Sequence, residues 1–322
     1  MITRKALLGA LALAASVAGL APARADYPDR QIKIVLALPP GGSADTIGRM
    51  FADHIKAKWG QTVIVESRSG ADGLIGPTYV AKSKPDGYTL FFTTPSLASA
   101  RALFKNPPLD PEKDLVAIGQ VVESPFVVAI NTKHQAKTLK EFVDAAKAAK
   151  GAMNIGYFAA GNRLTVESFL RAVDVKATQV PYKGEAAMMA ALSTGEVDVG
   201  VATAVIVKGM AEQGKVRPLA VTGETRSFTL PDVPTAKEAG AEAFQPSAVW
   251  FGLLGPAGLP QDIVAKLSKE VFAFAQQPDL AKRLEPFGFA PKPTTPEAFA
   301  ALIRHEAQRS VEIARAAGIE QQ

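Results

Sequence analysis

Pro39-Pro40-Gly41-Gly42-Ser43-Ala44-Asp45 joins a short β-branched run to a stretch of helical period. Paired glycines let successive backbone N–H groups turn inward, and a helix start adds partial positive charge. Such a turn can hold an anion without any basic side chain. The same residues also read as a tight turn in which Ser43 or Asp45 is a plain N-cap. The stretch is neither a G-x-x-x-x-G-K-[ST] loop nor a G-x-G-x-x-G turn. It misses the G-x-S-x-G nucleophile elbow, because Asp45 stands where the last glycine is required. A second glycine-centred turn, Ala159-Ala160-Gly161-Asn162-Arg163, again follows a strand pattern and precedes a helical one. Arg163 could grip a carboxylate through two parallel N–H bonds, or be an exposed loop arginine. Thr94-Pro95-Ser96 and the segment 67–76 occupy the same strand-end position, where open α/β sheets bind ligands.

Catalytic and metal chemistry find little support. The chain has no cysteine, which removes disulfide frameworks, thiolate metal sites and cysteine nucleophiles. His54, His134 and His305 lie in charged or polar stretches with no second histidine at metal-ligand spacing, and are expected at the solvated surface. No histidine stands in sequence beside Ser43 or another candidate serine, so an exported serine hydrolase is the less favoured alternative. No metal and no cofactor is expected. Lys plus Arg number 36 against 31 Asp plus Glu, and Arg4, Lys5 and Arg24 supply three of the basic residues. The remainder is nearly neutral and offers no basic field for nucleic acid.

The elements that must carry these turns follow from periodicity. From Gln31 onward short β-branched runs alternate with longer helical patterns, the signature of an α/β fold with a largely parallel sheet. Strands are expected over 32–38, 62–66, 88–93, 127–130, 153–157, 178–180, 197–201, 218–222 and 249–254. Apolar Ile47, Met50, Phe51 and Ile55 recur at i, i+3, i+4 and i+8, which predicts a helix over 45–58 with one buried face. Helices are also expected over 139–149, 185–193 and 205–213, and beyond 261 the pattern is helical with no strand. Composition shifts at Val122-Glu123-Ser124-Pro125 and Phe244-Gln245-Pro246-Ser247 divide the chain into one lobe of 26–124 plus 247–322 and a second of 125–246. Two crossings form a two-segment hinge suited to closure on a ligand. At the N-terminus, Arg4, Lys5, the apolar run 6–20 and Ala23-Arg24-Ala25 have the layout of a cleavable signal, residues 1–25, which predicts a periplasmic chain beginning at Asp26. About 15 apolar residues fall short of the roughly 20 that span a bilayer.

Several stretches carry a resemblance by their order and spacing: Tyr27-Pro28-Asp29-Arg30-Gln31-Ile32-Lys33, the Pro40 to Asp45 turn, Lys84-Pro85-Asp86-Gly87-Tyr88-Thr89-Leu90, Val180-Pro181-Tyr182-Lys183-Gly184, Gly195-Glu196-Val197-Asp198, Leu219-Ala220-Val221-Thr222, Leu230-Pro231-Asp232-Val233-Pro234-Thr235 and Trp250-Phe251-Gly252-Leu253. Over nearly the whole chain beyond residue 26 it resembles the tripartite tricarboxylate transporter receptor family, also called the Bug family of extracytoplasmic solute-binding proteins. The resemblance implies a type II periplasmic-binding-protein fold, two lobes with the ligand cleft between them. It also implies a non-catalytic receptor that captures a small mono- or dicarboxylate and delivers it to integral membrane permease subunits of a tripartite tricarboxylate-type transporter. A receptor of this fold that senses a carboxylate and signals to a membrane partner is the alternative.

In that family the carboxylate is held between two strand-to-helix turns, one per lobe. The candidate ligand-binding residues here are Pro40, Gly41, Gly42, Ser43 and Asp45 in the first turn, with Thr94 and Ser96 beside it. In the second turn they are Ala160, Gly161, Asn162, Arg163 and Thr165, with Tyr182 and Thr203 nearby. Valine in place of Gly42 is expected to block the backbone approach. The second turn departs from the family pattern, because Tyr157, Phe158 and Leu164 replace a Ser- and Gly-rich loop. Ala202-Thr203 stands where an acidic residue is common, which argues against a ligand bearing an amino group.

Overall fold

The structure, a computed structural model, describes residues 27–158 and 160–321. The expected signal segment, Asp26 and Ala159 lie outside the described residues. The first strand, β1 (Ile32–Leu36), buries Ile32, Ile34 and Leu36 in one apolar core and Val35 in another, a period of two covered on both faces. Helix α1 (Ser43–Trp59) buries Ile47, Phe51 and Ile55, as their spacing predicts, and Gly60 ends it with a left-handed φ of 68°. There follow β2 (Val63–Ser67), α2 (Ile75–Ala81), β3 (Thr89–Thr93) and β4 (Leu115–Asn131). Next come α3 (Leu139–Ala148), β5 (Asn154–Tyr157), α4 (Ala160–Ala172), β6 (Thr178–Pro181), α5 (Glu185–Thr194), β7 (Val199–Thr203), α6 (Ala204–Glu212) and β8 (Val216–Val221). The chain closes with β9 (Ala248–Pro256), α7 (Gln261–Ala275), β10 (Ala290–Pro291) and α8 (Pro296–Ala316).

The strands run in the order β2-β1-β3-β9-β4-β7-β5-β6, with β8 and β10 also pairing β4. The largely parallel sheet expected from the alternating pattern holds only at the flanks. There β1 is parallel to β2 and β3, and β5 is parallel to β6 and β7. At the centre β9 and β4 run antiparallel to their neighbours, because these are the strands by which the chain crosses between halves. Strand β4 is much longer than the expected 127–130. Gly119, Glu123, Ser124 and Pro125 break its β-branched pattern, and its register against β9 shifts between Ala117 and Gly119 and again between Gln120 and Val122. The expectation of no strand beyond 261 is corrected by β10, which pairs Ala290 with Glu123 and Pro291 with Val122. Two residues are too few to leave a period in the sequence.

Helices α1 and α7 cover one face of the β1–β3–β9 half, while α2 and α8 cover the other. In the second half α3 and α4 pack on one face and α5 and α6 on the other. Strand β4 joins them: it pairs β9 as far as Pro125 and pairs β7 and β8 from Phe126 onward. The return crossing runs beside it. The Thr222 hydroxyl, fully buried, accepts the Phe126 N–H at 3.0 Å and donates to the Ser247 carbonyl at 2.7 Å.

His54 is not at the solvated surface. It is sandwiched between α1 and α7, with Nε2 3.0 Å from Glu270 Oε2 and Nδ1 2.8 Å from Gln277 Nε2. Its place on the buried stripe three residues beyond Phe51 outweighs the polar neighbours that suggested exposure. His305 is exposed, and His134 accepts the Ala136 N–H with Nδ1.

Candidate functional site

A cavity of about 340 Å³ lies where the two halves meet at the crossing strands. The β1–β3–β9 half contributes Leu38, Ser43, Thr94, Pro95, Ser96 and Ser99. The other half contributes Phe126, Phe158, Gly161, Asn162, Leu164, Thr165, Glu185 and Thr203. Ser247, Ala248, Val249 and Phe251 of the return crossing complete the wall with Glu306, Arg309, Ser310 and Ile313 of α8.

Of the residues expected from sequence, Ser43, Thr94, Ser96, Gly161, Asn162, Thr165 and Thr203 line this one cavity. They come from the carboxyl ends of β1, β3, β5 and β7, the position at which such sheets bind ligands. Three helices begin at the same place. Ser43 opens α1, Gly161 is the second residue of α4, and Thr203 is the N-cap of α6 with no side-chain capping bond. The first N–H groups of a helix have no partner within it and carry partial positive charge. Asn162, 3% exposed, ties two of these ends together: its Nδ2 donates to the Val201 carbonyl at 2.8 Å and its Oδ1 accepts the Phe158 N–H at 3.2 Å. The Thr94 and Ser96 hydroxyls bond each other at 2.7 Å.

Pro40, Gly41, Gly42, Asp45, Arg163 and Tyr182 do not line the cavity, and Ala160 is the first residue of α4. Asp45 turns back on its own turn. Its Oδ2 accepts the Gly41 N–H and its Oδ1 accepts the Arg49 Nε–H, each at 3.0 Å. Gly41 has φ of 91°, a left-handed conformation that favours glycine. A Cβ on Gly42 would meet nothing within 4 Å, so the protein itself presents no clash to a side chain there. The Arg163 guanidinium stacks 5.5 Å from the centre of the Tyr157 ring. The Tyr182 hydroxyl donates to Glu196 at 2.7 Å, and burial with this acidic partner pushes its phenol up to about 12.

The Arg49 bond, aided by the Gly41 N–H, holds the Asp45 carboxyl below its ordinary value against the opposing effect of burial. A depressed carboxyl stabilises the fold fully above its unfolded value, near pH 3.9, and loses that contribution as pH falls through the lower folded value. Asp45→Asn should therefore lower the melting temperature at neutral pH, and the gap to wild type should narrow as pH falls below about 4. Thermal unfolding of both proteins across that range checks it. A gap independent of pH would mean that the charge of Asp45 contributes nothing.

Sequence reasoning missed three charged groups in the wall, Glu185, Glu306 and Arg309. Glu185 opens α5, directly after the Lys183-Gly184 that ends a quoted motif, and its carboxylate accepts the Thr203 N–H. Burial raises its pKa against the two Thr203 hydrogen bonds. The cavity thus has a carboxyl beside Ala202-Thr203, supplied by another element than the one on which sequence reasoning found an acid wanting. Arg309 of α8 is 7% exposed and donates to the Pro246 and Gln245 carbonyls at 2.8 and 2.9 Å. Only tertiary packing brings a residue so late in the chain to this crossing, so no local signal announced it. Among the described residues no histidine lines the cavity.

Two halves joined by crossing strands, with a cavity at the strand ends between them, define the type II periplasmic-binding-protein fold. The model of the tripartite tricarboxylate transporter family receptor matches residues 47–319, and the chain belongs to that family. It is 31% identical to protein BugT of Bordetella pertussis over 318 residues, covering 97% of each chain. Rpa4515 of R. palustris, solved with adipate, superposes with a TM-score of 0.80 at 29% identity, over 92% of this chain and 100% of that one. MatC of Rhodopseudomonas palustris, solved with bound malate, gives 0.75 at 30% identity, over 89% and 100%.

Proposed function

We propose that this chain is a periplasmic receptor without catalytic activity that captures a small mono- or dicarboxylate and hands it to the integral membrane permease subunits of a tripartite tricarboxylate-type transporter. The observation that carries the reading is the convergence of three helix starts, at Ser43, Gly161 and Thr203, on one cavity. N–H groups fixed there replace the water shell of an anion, and their attraction strengthens as closure excludes water. The remaining wall, with Leu38, Phe126, Phe158, Leu164, Val249 and Ile313, favours a ligand with a hydrocarbon body behind its carboxylate. The dicarboxylates in the two related structures agree with this ligand class. In this reading 26–124 with 247–322 forms one lobe and 125–246 the other, and residues 1–25 are removed on export. No helix among the described residues is long and apolar enough to cross a membrane.

The test is a thermal-shift screen of residues 26–322 against aliphatic and aromatic carboxylates, with sugars and neutral amides as controls. A ligand at a hundred times its Kd adds about 2.7 kcal/mol to stability, a shift of several degrees at most for a chain of this size. Stabilisation confined to carboxylates is expected. Stabilisation by neutral solutes alone, or by none of the panel, would overturn the ligand class. Delivery to a permease is tested separately, because deleting the gene should abolish uptake of the ligand, whereas a sensor would leave transport intact.

A further inference from the structure

We propose that Glu185 makes ligand capture proton-linked: the site takes up its carboxylate together with one proton, which resides on Glu185. The inference rests on the carboxylate reading above. Glu185 lines the cavity at the start of α5 and accepts the N–H of Thr203, the residue that caps α6. One of the donors best placed for an incoming anion is therefore already held by a carboxyl of the protein. A ligand carboxylate entering this wall meets a second carboxyl in the same half-buried cavity. Two such groups side by side cannot both stay ionised at low cost, and the pair retains a proton.

Among the described residues no neighbouring cation relieves this. The elements packed on α5 are β4, β5, β7 and α6, and their titratable side chains are Glu123, Tyr157, Lys208 and Glu212. None contributes a charge to Glu185, whose hydrogen-bond partner is Thr203 alone, and Lys183 beside it is exposed. Across the cavity α8 presents Glu306 and Arg309, which lie 3.5 Å from each other, with the guanidinium donating to backbone carbonyls. Burial already raises the proton affinity of Glu185 in the free protein, and an adjacent ligand anion raises it further. The sign follows: where Glu185 is ionised in the free protein, binding takes up a proton and affinity falls as pH rises, by up to about tenfold per pH unit.

The test measures adipate affinity by calorimetry between about pH 6.5 and about pH 8.5, above the range in which ordinary carboxylic acids titrate. Wild type should weaken with pH. Glu185→Gln, which keeps an oxygen to accept the Thr203 N–H and adds an amide donor, should bind with no pH dependence and more tightly than wild type at the alkaline end. A flat wild-type profile, or a variant that keeps the wild-type slope, overturns the proposal while leaving carboxylate binding intact. Absence of adipate binding to wild type at every pH overturns it for this acid and counts against the carboxylate reading as well. Should the variant fail to fold, wild-type titrations in two buffers of different ionisation enthalpy report proton uptake directly, and zero uptake at the alkaline end overturns the proposal.

Discussion

Arg309→Met should cost the folded chain about 3 kcal/mol, the largest stability loss expected from a single change in the cavity wall. Its guanidinium donates to the Gln245 and Pro246 carbonyls, lies 3.4 Å from the Ser168 hydroxyl of α4 and stands 3.5 Å from Glu306. One side chain of the last helix thus fastens both the return crossing and the second half. Removing one partner of a buried charged network typically costs about 3–5 kcal/mol. Here the Arg309 Nε–H is buried without a partner, which lowers the gain that is lost and sets the expectation at the bottom of that range. At about 2 °C per kcal/mol for a large domain, the melting temperature should fall by roughly 6 °C. Lysine should not rescue it, because a single ammonium cannot serve both carbonyls with the geometry of a planar fork. A loss below about 1 kcal/mol would show that the crossing is held by something other than these bonds.

Val249→Trp should weaken ligand binding at least about 100-fold, or roughly 2.7 kcal/mol. Val249 stands at the start of β9, half-buried in the cavity wall between residues contributed by both halves. An indole there occupies space that the hydrocarbon body of a ligand requires. The cost to folding should stay near 1–3 kcal/mol, because the added atoms extend into the cavity and not into packed core. Calorimetry with a carboxylate that binds wild type decides the matter, with denaturant unfolding to establish that the variant is folded. Unchanged affinity would move the ligand elsewhere. An adjoining place of equal volume, about 340 Å³, is lined by Glu123, Trp250 and Lys292 and shares Ser247, Ala248 and Glu306 with the first.

Much of this was legible before the structure. Ile47, Phe51 and Ile55 announced the buried stripe of α1, and Ser43, Thr94 and Gly161, expected from the rule that ligands gather where strands hand over to helices, line one cavity, as does Thr203, which the family resemblance brought in. What escaped has two physical causes. Strand β4 is covered on both faces and interrupted by Gly119 and Pro125, so no alternation marks its length. Arg163 and Asp45 carry the right chemistry at the right turns, yet each is turned onto local neighbours: Arg163 stacks on the Tyr157 ring with its buried Nε–H unpaired, and Asp45 bonds Gly41 and Arg49. Spacing shows that a charged group is near a turn, not where its atoms point. Glu185 and Arg309 show the converse, since both reach the wall through contacts between elements, Glu185 with the end of the next strand and Arg309 with the return crossing 63 residues earlier.

The antiparallel pairing of β9 with β3 and β4 sets an order in time as well as a shape. The partners of the middle sheet, β4 to β8, all lie in one continuous stretch ending at Val221, so that half has every strand it needs long before the chain is complete. The other half must wait, because Phe91 aligns with Leu254 and the core of β1 is closed by α7 and α8 from the far end. Contacts so remote in sequence form late, since a long loop has to be closed before they reward the chain. Until then only α1 and α2 are at hand to cover the faces of β1 and β3, so the amino-terminal third, first in the chain, is among the last parts of the sheet to gain its full packing.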